Sequence, residues 1–453
     1  MVKVTKEVET IKQQMMLVNG FQLTIEKLVT TLQQQLEKTN DHISQPNDND
    51  FSPPTNVWCP WRSDSCTEKI IRPGQMTIVM EQEVSLPFAL YLSASNDPND
   101  SRYVIHFSID KYRVKIGKTV NGITTIINET IHHEYILQEG KNIYWLSIDH
   151  VNLFIKYGHG EVRDRSTLLK SGVSLEEKNS VGQIQYVHVS FNGSRILSEL
   201  TRYEDKVKFK IGQYPVVLDP PLLVANTTNL DHYLHNSFIL LSRLKEPCQS
   251  LYLDIIGWKF QDDAFPHLYE AIEYSIRNES GWCYKTLRKK ASTFGVSDIH
   301  ATYLRITIGS NMGTSPGVPY VLEIWPPGHF SPIHSHASTY GIIRVLHGEI
   351  NVKIYRTLSL KKMKHIHEAT FYENQVTWLS PGLNQVHKLE NKSPNKSCIT
   401  IQAYEYISDE VNHYEFFDYI DNNGSSIKNF KPVPDLDYTE FKNIMITEWN
   451  NRN

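Results

Sequence analysis

The sequence predicts a mainly β chain in modules: an N-terminal coiled-coil helix, a jelly-roll-like β-sandwich, then helices leading into a second β-barrel. Three observations carry that reading. Residues 2 to about 40 follow a heptad. Two long regions alternate apolar and polar residues with period two, punctuated by turn signals. Between them the spacing changes to that of helices.

The totals agree with several domains. A chain of 453 residues, 40% of them hydrophobic, exceeds one typical core. A net charge of −4 gives no electrostatic reason to expect nucleic acid or an acidic membrane surface. Five scattered cysteines fit a reducing compartment better than a disulfide framework, with Cys59 and Cys66 expected as free thiols. No signal peptide or membrane-spanning run is read, so a cytoplasmic location, or a place in an assembled particle, is expected.

Taken in order, residues 1–40 place Val4, Ile11, Val18, Ile25 and Leu32 at a, and Val8, Met15, Gln22, Val29 and Leu36 at d. This narrow stripe predicts a parallel coiled coil. Branched residues at both positions favour self-association as a homotrimer. Residues 41–56 are polar and carry three prolines, as a linker does. Residues 57–222 hold short strands such as TIVMEQEV, FALYLSAS and NIYWLSID, and predict the sandwich. Tyr144 and Trp145 are expected in its core rather than as a sugar platform. Residues 223–425 form the next domain, opening with helices over HNSFILLSRL, FPHLYEAIEYSIRN and GWCYKTLRKKAS and returning to strands beyond Ala301. Residues 426–453 lack a clear core pattern and read as a tail.

The chemistry is concentrated between Gly328 and Asn391. His334 and His336 are one residue apart in a strand-like run, so their side chains leave the same face. A third histidine, His387, follows the turn Pro381-Gly382. Imidazoles converging in this way suit a divalent metal: iron, zinc, copper or nickel. A second pair, His365 and His367, lacks framing glycines and is expected at the surface. Cys398 reads as a buried core thiol.

Gly328-x5-His334-x-His336-x4-Gly341-x6-Gly348, followed by His387, resembles the cupin motif, with Gly341 where its glutamate would stand. With Tyr303 and Arg305 in ATYLRITIG and Tyr404 in QAYEY, the resemblance narrows to the cysteine dioxygenase family, over roughly residues 265–410. It implies Fe(II) held by His334, His336 and His387, with zinc or another divalent metal as the alternative. It implies a small thiol substrate and O2, with cysteine oxidised to its sulfinate. By resemblance Arg305 and Tyr303 bind substrate, Arg305 through its carboxylate, a fit for a guanidinium. Tyr404 points at the iron site, and Ser331 belongs to a hydrogen-bonded trio with it. Gln402 stands where that trio has a histidine, so it bonds but does not titrate near neutral pH. Gly341 also replaces the cysteine that some members crosslink to the tyrosine. The sandwich resembles the farnesoic acid O-methyltransferase-like module, which implies a glycan or protein ligand. The alternative function is a structural or adhesive oligomeric assembly protein with a recruited, inactive cupin.

Overall fold

The computed structural model describes residues 72–452, except 98–99, 192–206, 228–236, 262, 309–319, 337, 361–363, 407–415 and 426. The expected coiled coil and homotrimer, the linker, and Cys59 and Cys66 lie outside the described residues.

Among the described residues ten strands build the sandwich: β1 (Gln75–Gln82), β2 (Phe88–Ser93), β3 (Tyr103–Ile109), β4 (Val114–Val120), β5 (Ile123–Thr130), β6 (Asn142–Asp149), β7 (Phe154–His159), β8 (Thr167–Gly172), β9 (Tyr186–Phe191) and β10 (Val207–Gly212). They form two five-stranded antiparallel sheets, β10-β1-β6-β7-β8 and β5-β4-β3-β2-β9. Strand alternation explains the core: Met76, Ile78 and Met80 of β1 point inward onto Phe88, Leu90 and Leu92 of β2. Tyr144 and Trp145 are both buried core residues.

The second domain contains β11 (Leu223–Ala225), β12 (Ile239–Leu240), β13 (Leu304–Ile308), β14 (Tyr320–Trp325), β15 (His334–Ser335), β16 (Thr339–His347), β17 (Glu349–Ile354), β18 (His367–Tyr372), β19 (Val376–Leu379), β20 (Val386–Glu390), β21 (Cys398–Tyr406), β22 (Phe417–Ile420), β23 (Ile427–Phe430) and β24 (Leu436–Asp437). An eight-stranded sheet, β12-β11-β19-β16-β21-β14-β13-β24, faces a six-stranded one, β18-β17-β20-β15-β22-β23. Ile343, Val345, Val352, Leu389 and Phe417 fill the space between the two sheets. The outer face of the larger sheet, with Ile306, Leu322, Ile324, Ile399 and Ile401, packs under helices α1 (Glu246–Ile256), α2 (Leu268–Arg277), α3 (Trp282–Lys290) and α4 (Tyr438–Asn450). Gly348 turns β16 into β17 at φ +75°, where a Cβ would lie 2.8 Å from the Ser397 carbonyl.

Two expectations change. HNSFILLSRL is not a helix where described; it gives β12 and a short 3₁₀ turn, and α1 starts after it, with a proline in its first turn. Residues 426–453 are not a loose tail. Phe441 and Met445, one turn apart on α4, are fully buried, and Asp437 caps the helix by accepting from Glu440 N at 3.0 Å. Among the described residues no helix is long and apolar enough to cross a membrane.

The sandwich and the barrel, parts of one compact unit, meet over a polar contact. Glu161 and Arg163, in the loop after β7, are buried against the β19–β20 loop of the second domain. Arg165 reaches the Ile366 carbonyl and Asp219, while Glu161 N donates to Arg356 O at 3.3 Å. His367, partly buried beside Arg163, is pushed down to about 4 by burial, and His329, held by the Thr302 carbonyl at 2.8 Å, likewise. An unfolded histidine titrates near 6.5, so between about pH 6.5 and 4 the unfolded chain binds protons the folded chain refuses. The stability these groups contribute is complete above that window and is lost as pH falls through it. Melting temperature should decline over this range. The decline should be shallower in His329→Asn, which keeps a donor and cannot titrate.

Candidate metal centre

The site grows from strand register. β15 pairs with β20 so that His334 lies directly opposite His387. His336 leaves the same face two residues on. His334 Nδ1 faces the Pro332 carbonyl and His387 Nδ1 the Asn384 carbonyl, each at 3.0 Å. A carbonyl only accepts, so both Nδ1 atoms carry the proton and both Nε2 atoms are bare lone pairs. His334 Nε2 and His336 Nε2 are 3.1 Å apart, and the ligand atoms of all three histidines lie within 4.8 Å of one another.

These residues fit a metal ion. Among the described residues the buried His387 Nε2 has no hydrogen-bond partner. Two nitrogens about 2.1 Å from one ion at a right angle are about 3 Å apart, the spacing of the first two histidines. Burial pushes all three imidazoles below their ordinary range, His387 to about 4. They are neutral at pH 7, the form that ligates. His336 keeps partial exposure, whereas His334 and His387 are buried. The second pair behaves differently: His365 is exposed and bonds Glu368 at 3.0 Å, and His367 faces Arg163.

Beside the histidines, inside the barrel, lies a buried polar row. Arg305 of β13 lies opposite Glu323 of β14, and Glu323 opposite Thr400 of β21. Neighbouring side chains in such a row touch. Arg305 Nη1 donates to Glu323 Oε1 at 2.6 Å. Gln402 Nε2 donates to Glu323 Oε2, and to Thr400 Oγ1 at 3.2 Å. The Tyr404 hydroxyl donates to Gln402 Oε1. Tyr404 also stacks on His336, with ring centroids 5.0 Å apart. Burial pushes its phenol well above the usual range, so it stays protonated. Arg305 stays charged through Glu323, while burial pushes the Glu323 carboxyl up against the opposing pull of Arg305.

The sequence-predicted residues divide. His334, His336 and His387 converge, and Tyr404 and Gln402 join beside them. Tyr303 stacks on Trp325 at 4.3 Å, next to the row. Ser331 does not join the trio expected of it. It lies ahead of β15 and its hydroxyl accepts from Leu389 N at 3.0 Å, so it fastens the barrel wall. The hydroxyl in the trio is that of Thr400. Thr400, Gln402 and Tyr404 alternate along one strand, a period that was readable in the sequence. Glu323 was also missed, because only cross-strand register reveals its role. Cys398 is a fully buried core thiol.

Gly341 stands opposite Tyr404 across β16 and β21. A Cβ there would come within 2.8 Å of the Tyr404 ring and 2.9 Å of Leu379 Cγ. Gly341→Ala is therefore expected to cost about 1–3 kcal/mol of stability by overpacking, measurable by chemical denaturation, and to displace the ring from His336.

Fold and site together define a cupin, a two-sheet β-barrel with an inward histidine cluster. Its C-terminal part matches the model of the cysteine dioxygenase type I family over residues 300–416. Three solved structures resemble about a quarter of the chain. A conserved protein with a double-stranded β-helix domain from Klebsiella pneumoniae is 16% identical, covering 23% of this chain and 76% of its own, with a TM-score of 0.18. The Cupin_2 domain of an XRE family transcriptional regulator from Enterobacter cloacae is 17% identical, covering 23% and 97%, with a TM-score of 0.19. The Cnp3 cupin domain from Schizosaccharomyces pombe is 12% identical, covering 23% and 64%, with a TM-score of 0.19.

Proposed function

We propose that the cupin domain is a non-haem iron thiol dioxygenase that oxidises cysteine, or a related small thiol, to its sulfinate with O2. The observation that carries this reading is the bare, buried Nε2 of His387 turned towards His334 and His336 within the family-matched region. Three neutral imidazoles without a carboxylate suit Fe(II), with zinc or another divalent metal as the alternative. Bound iron would supply the activation of dioxygen. The reaction balances without another reductant: sulfur gains both oxygen atoms, O2 takes the four electrons, and the thiol proton remains on the sulfinic acid.

The chain's own residues fall into roles around that centre. Tyr404 is a neutral donor beside His336, held by Gln402. Gln402 relays no proton, since an amide does not titrate, so Tyr404 orients rather than exchanges charge with its neighbour. A cleft of about 270 Å³ reaches Tyr303 and Arg305, lined also by Phe294, Phe430 and Lys290 and by none of the three histidines, and would bring a small molecule to Arg305. Arg305 receives the substrate carboxylate in competition with Glu323.

That competition favours a second reading, a structural or adhesive assembly protein whose cupin is inactive. One experiment separates the two. The full chain is loaded anaerobically with Fe(II), then given oxygen with cysteine, cysteamine or 3-mercaptopropionate. Oxygen uptake matched by sulfinate supports the dioxygenase, and the preferred thiol reports what Arg305 and Glu323 select. No uptake with iron fully bound overturns it.

A further inference from the structure

We propose that the β-sandwich completes the metal centre, with Glu161 and Arg163 as positioning residues for His387 and His336. The inference rests on the metal reading of the three histidines. The path between the domains is short and buried throughout. Glu161 Oε1 accepts from Gln385 N at 2.8 Å. Arg163 Nη1 donates to Glu161 Oε2 at 3.0 Å and to Asn384 Oδ1 at 2.9 Å. Glu161 is 6% exposed, Arg163 1%, Asn384 1% and Gln385 5%.

Both anchored residues control a ligand through the backbone. The Asn384 carbonyl takes the Nδ1 proton of His387 and so sets which nitrogen faces the centre. The Gln385 carbonyl accepts from His336 N at 3.1 Å. The Gln385 side chain then bridges to Thr339 and Ser380, donating to Thr339 O and Ser380 O at 2.8 Å each. Asn384 sits at φ +60°, in the left-handed region that asparagine adopts more readily than most residues, and its side chain is fixed there by Arg163. Gly160, at φ +81°, lets the loop enter, for a Cβ there would lie 2.2 Å from the Arg356 carbonyl. The cupin thus borrows its outer support from another domain. A carboxylate accepting a backbone amide suits that task, being an acceptor that no aqueous competitor reaches.

The test uses the full chain and Co(II) as the probe, read by affinity and by the d–d absorption of the bound ion. Three proteins accompany the native chain: Glu161→Gln, the double variant E161L/R163M, and Arg165→Ala as an interface control. In Glu161→Gln an amide donor must face either Gln385 N or the Arg163 guanidinium. The double variant removes both charges of the Glu161–Arg163 pair, and Asp219, which Arg163 also reaches at 3.4 Å, keeps Arg165 at 2.7 Å, so no ion is stranded. We expect both to lose about 10- to 100-fold in Co(II) affinity, the usual scale for an outer-shell partner, with altered d–d bands. Arg165→Ala should match the native chain. Native affinity and native bands in either folded variant overturn the proposal while leaving the metal reading intact. A native chain that takes up no Co(II) overturns both.

Discussion

His387→Ala is expected to abolish metal binding and, because it removes a buried ring and its Nδ1 bond to the Asn384 carbonyl, to cost the metal-free fold about 2–5 kcal/mol as well. The side chain offers one of three candidate ligand atoms, and among the described residues its Nε2 has no other partner. Loss of an outer-shell contact alone costs up to about 100-fold in affinity, so loss of a ligand should cost more. In the native chain, metal at 100 times its dissociation constant should add about 2.7 kcal/mol of stability by mass action. The variant should gain none. Metal content after desalting, with melting temperature with and without metal, reads both halves. A variant that retains metal would remove His387 from the ligand set.

Arg305→Ala is expected to cost the fold about as much as it costs any substrate. The guanidinium is paired with Glu323 in a buried site, and removing it strands a carboxylate there. Breaking one partner of such a pair costs about 3–5 kcal/mol. Loss of thiol affinity in Arg305→Ala therefore does not by itself identify a carboxylate-binding role. Two further variants divide the effects. The double variant R305M/E323L should recover most of the stability, read by denaturant midpoint. Glu323→Gln weakens the internal competitor, so KM for cysteine should fall if Arg305 receives its carboxylate and stay unchanged if it does not. Native stability in Arg305→Ala would contradict the buried pairing.

What the sequence revealed about this site follows from the range of the contacts involved. His334 and His336 were legible because strand periodicity acts over two residues. Three residues, His387, Arg305 and Tyr404, were legible through motifs with fixed surroundings. The partners that decide their chemistry were not. Glu323 meets Arg305 through the β13–β14 register, and Thr400 enters the row through β14–β21 pairing. Such register depends on the whole barrel. Ser331 was misplaced because its loop turns its hydroxyl to the backbone of β20. Helix α4 could have been read: Asp437 with Glu440 three residues on is a capping signature, and Phe441 and Met445 mark its buried face. The true start of α1 was signalled by Pro247, a favoured first-turn residue that the apolar run before it obscured. Glu161 and Arg163 offered no local signal, since they act across a domain boundary.

Strand β24 gives the barrel an order of assembly. It pairs in parallel with β13, and Asp435, just before it, accepts from Arg305 N at 2.8 Å and from Lys290 Nζ at 2.8 Å. The strand that carries Arg305 thus acquires its outer neighbour only from residues some 130 positions later. During synthesis, ribosomes translating at about 5–20 residues per second would hold β13 open-edged for several seconds. In that interval an unpaired edge is exposed to other nascent chains. A premature stop before Leu436 would make the exposure permanent, so truncated products should reach the insoluble fraction even though every histidine of the metal centre has already been made.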